Sequence, residues 1–214
     1  LQDPYRDPET QREFAEKWGQ NPAMVTSFAD GSKISFEQAI VANATGAKVL
    51  RRGMSRGTPF QGDPLELPSL YDLDEVRALG SIVDYTVGPS SVKIFCLAEH
   101  SDPKQRHYLN LYKMGEGPLY PFWVPYHLVH FEAPNAIARV VLFGDNLAPP
   151  LAGPVVEVCA VAKRDLEAGE VLDEYGAVTR RGIQHYLPRD DEPRSYLYEP
   201  LADYPRRGGK MLRS

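Results

Sequence analysis

Apolar and polar residues follow several rhythms along the chain. Phe14 and Trp18 stand four apart and Pro8 suits a first helical turn, so a short helix is predicted from residue 7 or 8 to 17. Asn21-Pro22 reads as the break after it. Residues 33–44 turn helical again. Phe36, Ile40 and Asn43 fall on one face, Asp30 or Ser32 can cap the start, and Gly46 stands where a helix stops. Residues 51–70, rich in Gly, Pro and Arg, read as a loop, and 72–79 as a short helix. Residues 82–87 and 92–98 look like two strands around Gly88-Pro89, a hairpin-type break. Over 107–113 the pattern alternates, with Leu109 and Leu111 on one face and Tyr108, Asn110 and Tyr112 on the other, so a strand is predicted. Gly115-Glu116-Gly117-Pro118 is a turn, and 133–143 is an apolar helix introduced by Pro134 and ended near Gly144. Gly153-Pro154 then opens a distinct unit, with a strand over 155–162, a polar turn, and a second short strand before residue 172. Trp18, Tyr120 and Trp123 read as core or interface. Helices and strands mixed without strict βαβ alternation predict an α+β fold.

Composition narrows the function. Of 214 residues, 43% are hydrophobic and 25% charged, the balance of an ordinary globular chain with material for a core. The net charge of -5 leaves no basic excess for bulk nucleic-acid binding. No apolar run approaches the roughly 18 residues of a membrane span. The opening LQDPYRDPETQ has neither a signal-peptide core nor an initiator Met. Cys96 and Cys159 lie far apart in apolar stretches, which predicts two buried free thiols, no metal spacing, and a reducing, cytoplasmic setting. Charge is uneven: residues 1–179 hold 16 Lys and Arg against 24 Asp and Glu, whereas 180–214 hold 8 against 5. No G-x-G-x-x-G after a strand, no P-loop and no G-x-S-x-G occurs.

Several blocks in order are more specific than any single motif. LQDPYRDPETQREFAEKWGQNPAMVTSFADGSKISFEQAIVANATG is followed by VDYTVG, DPKQRHYLNLYKMGEGPLY and PYHLVHFEAPNAIARVVLFGD. Together they resemble the region after the Rossmann domain in NAD(P)-dependent oxidoreductases of the homoserine dehydrogenase-like family. That family includes the 1-deoxy-D-xylulose 5-phosphate reductoisomerase-like enzymes. PVVEVCAVAKRDLEAGEVLDEYG is similar to the start of a SAF domain. The resemblance implies a mixed sheet with helices on one face over residues 1–152, serving substrate binding and dimerisation. An incomplete SAF-like β unit follows over 153–176. The basic stretch 177–214 departs from the pattern and is expected to be a poorly ordered tail. The resemblance further implies NAD(P)H held by a dinucleotide-binding domain ahead of Leu1, a small hydroxylated or phosphorylated substrate, a role near isoprenoid precursor synthesis, and a homodimer. Beginning where it does, the chain is expected to be the back half of a larger enzyme. A second reading, of another class, is a non-catalytic SAF-type module that binds carbohydrate or a partner.

Asp30, Lys33, Glu37 and Asn43 are the first candidate cluster. Reduction or isomerisation of a hydroxyketone needs an acid at the carbonyl oxygen and a base at the hydroxyl. Lys33 suits the acid, Asp30 or Glu37 the base or orienting partner, and Asn43 a substrate contact. The alternative is a helix cap with an exposed i,i+4 ion pair. His127, His130 and Glu132 are the second cluster. On a strand the two histidines point apart and on a helix they share a face, and either can contact substrate or simply bond backbone. A divalent metal is conceivable there but lacks a third ligand. Lys104 and Arg106, with His107 and Lys113, could grip a phosphate beside Gly115 and Gly117, or line a solvated strand edge. Arg51, Arg52 and Arg56 would suit a phosphate loop, or a merely flexible basic one.

Overall fold

The computed structural model describes residues 3, 5–54, 58–88, 92–171 and 180–186. In chain order the elements are α1 (Pro8–Lys17), α2 (Pro22–Ala29), α3 (Ser32–Thr45), β1 (Thr58–Pro59), a 3-10 helix (Pro64–Leu70), α4 (Leu73–Leu79), β2 (Thr86–Val87), β3 (Ile94–Glu99), α5 (Pro103–Leu111), β4 (Leu119–Val124), α6 (Val129–Phe143), β5 (Val156–Ala162) and β6 (Arg180–Tyr186). The α+β class holds. The strands form three two-stranded sheets among the described residues, where one mixed sheet with helices on one face was expected: β1 with β2, β3 with β4, and β5 with β6. Two compact units result. One comprises Leu1–Thr58, Ser81–Thr86 and Ala148–Ser214, the other Pro59–Gly80 and Val87–Leu147.

In the first unit, each helix starts where a side chain can take its free N–H groups. Asp7 accepts from the Thr10 N–H at 2.9 Å while Thr10 Oγ1 accepts from the Asp7 N–H, a reciprocal box that begins α1 as predicted. Asn21-Pro22 does more than end α1. Asn21 Oδ1 accepts from the Ala23 N–H at 2.8 Å and Pro22 occupies the first turn of α2, a helix the sequence pattern did not signal. α3 buries Ser32, Ser35, Ala39 and Ala42, a stripe of small side chains that brings its axis close to β5 and β6. Ala39, Ala42, Ala47, Val49, Met54, Val83, Val155 and Val156 form the core. Met54, from the stretch predicted as loop, is fully buried there, which stabilises by roughly 1.5–3 kcal/mol. Lys48 bridges Ile82 in parallel, with the Lys48 N–H donating to Ser81 and the Val83 N–H to Lys48.

β5 pairs antiparallel with β6, from Val156 opposite Tyr186 to Ala162 opposite Arg180. Of the turn and short strand expected over 163–172, the described residues 163–171 hold no strand: Arg164 pairs with Glu170 and the Glu167 N–H donates to Glu170. Residues 172–179 and 187–214, including most of the predicted basic tail, lie outside the described residues.

The second unit corrects two strand expectations. Residues 107–113 are not a strand: α5 covers Pro103–Leu111. Asp102 accepts from the Gln105 N–H at 2.8 Å and Pro103 fills the first turn, and this start signal outweighs the short alternation that follows. Nor do 82–87 and 92–98 form a hairpin, since β2 pairs with β1 and β3 with β4. β3 and β4 run antiparallel, Ile94 opposite Val124 and Glu99 opposite Leu119. One face of this pair shows Ile94, Cys96, Phe122 and Val124 outward, so Cys96 is an exposed free thiol rather than a buried one. The side chain of Cys159 lies outside the described residues. Tyr120 is fully buried, as expected of a core residue, whereas Trp18 is mostly exposed.

Gly117, at φ 72°, lies against the Tyr120 ring, and a Cβ there would overlap the hydroxyl and approach Cε2 to 2.7 Å. α4 begins at Asp72 as predicted, and Arg77 from this helix forks onto Glu99 of β3 and onto Asp74. The hydrogen bond from Arg77 holds the Glu99 carboxyl below the usual carboxylate range. α6 starts earlier than predicted, at Val129, with Pro134 inside it, and ends at Gly144.

Candidate functional site around the turn between α2 and α3

α2 closes on Asp30 and α3 opens after Gly31, which sits at φ 86° and has no side chain with which to cap. Asp30 performs that task from one residue earlier: its Oδ1 accepts from the Ser32 N–H at 2.8 Å. Its other oxygen lies 2.8 Å from Nζ of Lys163, too oblique for a directed hydrogen bond, so the contact is an ion pair. Both side chains are buried, 0% exposed for Asp30 and 4% for Lys163. Nζ of Lys163 also donates to the Arg6 carbonyl at 2.7 Å, and the Asp3 N–H donates to the Ala29 carbonyl at 3.1 Å. Arg6, residues 29–32 and Lys163, distant in sequence, thus close around one buried carboxylate. Asp7 stands at the margin of this group. Its carboxyl is held below the usual range, first by the Thr10 N–H and in smaller part by the charge of Lys163.

α3 carries the rest of the first predicted cluster. At 100° per residue, Lys33, Phe36, Glu37, Ile40 and Val41 share the stripe opposite the buried one, and all five are exposed. Nζ of Lys33 stands 4.0 Å from the centre of the Phe28 ring. No hydrogen bond or ion pair joins Lys33 to Glu37 among the described residues. The stripe is therefore an amphipathic surface, one ammonium and one carboxylate one helical turn apart on an apolar bed of Phe28, Phe36 and Ile40. It can hold a small carbon chain and present a proton donor and an acceptor to its oxygens.

Asn43 does not join that stripe. Its Oδ1 accepts from the N–H groups of Val155 and Val156, both at 2.9 Å, and its Nδ2 donates to the Val156 carbonyl at 3.1 Å. The amide found its partners in β5 backbone.

The remaining candidates lie in the second unit. His127 precedes α6 and its Nδ1 is 3.1 Å from Glu132 Oε2, while Glu132 Oε1 accepts from the Leu128 N–H at 3.0 Å. Glu132 thus closes the open start of α6 and braces His127. His130 is exposed on the first turn of the helix. Lys104 and Arg106 are two apart on α5, not on a strand edge, and a helix turns such neighbours to different faces. Lys104 is exposed, and Arg106 donates to the Glu116 carbonyl at 3.3 Å, bracing the loop before Pro118. Arg51 and Arg52 flank the buried Met54, and Arg56 lies outside the described residues. No group of three His, Cys, Asp or Glu side chains able to hold a metal ion occurs among the described residues.

Lys163 and the Arg6 carbonyl are the parts of this arrangement that sequence reasoning missed. The one local signal was a lysine set directly at the end of an apolar strand.

The family description "Oxidoreductase DRL, catalytic domain" matches residues 1–133, more than half of the chain. The chain belongs to this oxidoreductase family. The matched stretch holds α1 to α5, β4 and the first turn of α6, and with them every residue of the turn between α2 and α3 except Lys163. Comparison with curated proteins returned no match. The family implies a nicotinamide cofactor. The described residues do not fit as its cradle: their sheets are two-stranded, and no glycine turn leads from a strand into a helix N-terminus in the dinucleotide-binding manner. No helix of the described residues is long and apolar enough to cross a membrane.

Proposed function

We propose that the exposed stripe of α3 is the substrate side of an NAD(P)H-dependent oxidoreductase. The family match establishes a catalytic domain of an oxidoreductase. The observation that carries the finer reading is the pair Lys33 and Glu37 on an apolar bed beside a buried, charge-neutral turn. Lys33 serves as the acid at a carbonyl oxygen and Glu37 as the base at a neighbouring hydroxyl. Asp30, fully buried and held by Lys163, is the orienting partner and not the base. The substrate class is a small hydroxylated or phosphorylated carbon chain. NAD(P)H is held by a dinucleotide-binding domain of the same enzyme, in keeping with the homoserine dehydrogenase-like resemblance.

A homodimer is part of the same proposal, and α6 supports it. Val129, Phe131, Ile137, Val140, Val141, Leu142 and Phe143 are all exposed on this helix. An exposed apolar helix of this kind is the surface that a second copy would cover.

The test follows NADPH oxidation by the complete enzyme with a panel of small hydroxyketones and their phosphate esters. Lys33→Ala is expected to slow turnover at least about a hundredfold. Unaltered turnover in that variant would falsify the assignment of the acid.

A further inference from the structure

We propose that Lys163 is a positioning residue for this site, acting through Asp30 on the start of α3. It lies beyond the family-matched stretch and neither end of the ion pair is open to solvent, so neither group meets a substrate directly. What the pair controls is direction. Asp30 spends one oxygen on the Ser32 N–H and the other on the ammonium, so its side chain cannot rotate without breaking both contacts. The ammonium is itself anchored by the Arg6 carbonyl at 2.7 Å. Because Gly31 has no side chain, Asp30 supplies the side-chain acceptor for the Ser32 N–H at the start of α3. Lys33 lies in the first turn, one residue past the amide that Asp30 holds, so the aim of its side chain depends on this acceptor. A buried ion pair adds little net stability but fixes geometry, since either charge left alone is strongly disfavoured. An apolar residue in place of Lys163 would leave the Asp30 carboxylate buried without its cation.

That α3 carries the catalytic groups rests on the function proposed above, whereas the pairing and its effect on the turn do not. The experiment separates the two. Hydrogen exchange by mass spectrometry is measured on the complete enzyme and on Lys163→Met, Lys163→Arg, Asp30→Asn and the double variant Lys163→Met/Asp30→Asn. In Lys163→Met, peptides covering Ser32 to Phe36 are expected to exchange at least about tenfold faster, with α1 unchanged. The double variant removes the uncompensated charge, so it folds even where the single variant does not, and its exchange at Ser32 to Phe36 remains fast. Lys163→Arg, which keeps the cation, restores protection in part. In turnover assays Lys163→Met lowers kcat about tenfold with KM within twofold, the signature of a misaligned acid and not of lost binding. Unchanged exchange at Ser32 to Phe36, in both the single and the double variant, overturns the proposal. Acceleration spread evenly over the first unit also overturns it, because that would make the pair a global tie only. Local acceleration together with full activity of Lys33→Ala would uphold the positioning role and remove the catalytic reading of α3.

Discussion

Asn43 holds Val156 by both of its backbone groups: Oδ1 accepts from the N–H and Nδ2 donates to the carbonyl. With the Val155 N–H as a third partner, one side chain closes three backbone groups at the entry to β5. Replacement by Ala removes the Asn43 contacts of the Val156 N–H and carbonyl, while the Val155 N–H keeps the Gly153 carbonyl at 2.9 Å. Asn43→Ala is expected to cost about 2–3 kcal/mol. Asn43→Asp keeps the acceptor but sets a carboxylate oxygen against a carbonyl, and should fall between Ala and the wild type. Denaturant midpoints of the three proteins decide, and an Ala variant as stable as wild type would remove Asn43 from the architecture of the first unit.

In the second unit the equivalent point of tight contact is Gly117 against Tyr120. A methyl group at Gly117 meets the buried ring, and the positive φ of 72° adds backbone strain. Gly117→Ala should destabilise by about 2 kcal/mol or more. Pairing it with Tyr120→Phe relieves only the clash at the hydroxyl, which also lies 2.7 Å from the Asn110 amide. A thermal melt showing Gly117→Ala equal to wild type contradicts the close approach.

The cap of α1 makes stability depend on acidity. Asp7 has a folded-state affinity for protons below that of the unfolded chain, chiefly through the Thr10 N–H. Its contribution is therefore complete above the unfolded carboxylate range and fades as pH falls through the lowered folded value. Asp7→Ala should cost about 1 kcal/mol near neutral pH and progressively less in acid. Urea midpoints of the two proteins should converge as pH is lowered, and a constant gap would show that the charge is not what matters.

The homodimer proposal is checked by sedimentation equilibrium. The wild-type enzyme is expected to sediment as a dimer, and Val141→Asp with Phe143→Asp as a monomer of unchanged helix content. A monomeric wild type, or a double variant that stays dimeric, removes α6 from the interface.

The residues alone marked where three of the helices begin or end, because capping is local chemistry. Asp7-Pro8, Gly46 and Asp72 each act within one turn of their own position, and α1, α3 and α4 follow. Local chemistry is also present at Asn21-Pro22 and Asp102-Pro103, where the same signals start α2 and α5 beside a helix end and a strand-like alternation that mask them. The oxidoreductase character was legible in the ordered blocks between Leu1 and Ala133. Only the tertiary structure decided what Asp30 and Asn43 do. Asp30 meets Lys163 and Asn43 meets Val156 across more than a hundred residues of chain, and no spacing rule reaches that far. A buried charge or amide must find a partner, which can be inferred from sequence, but which partner it finds is set by how α3 packs against β5.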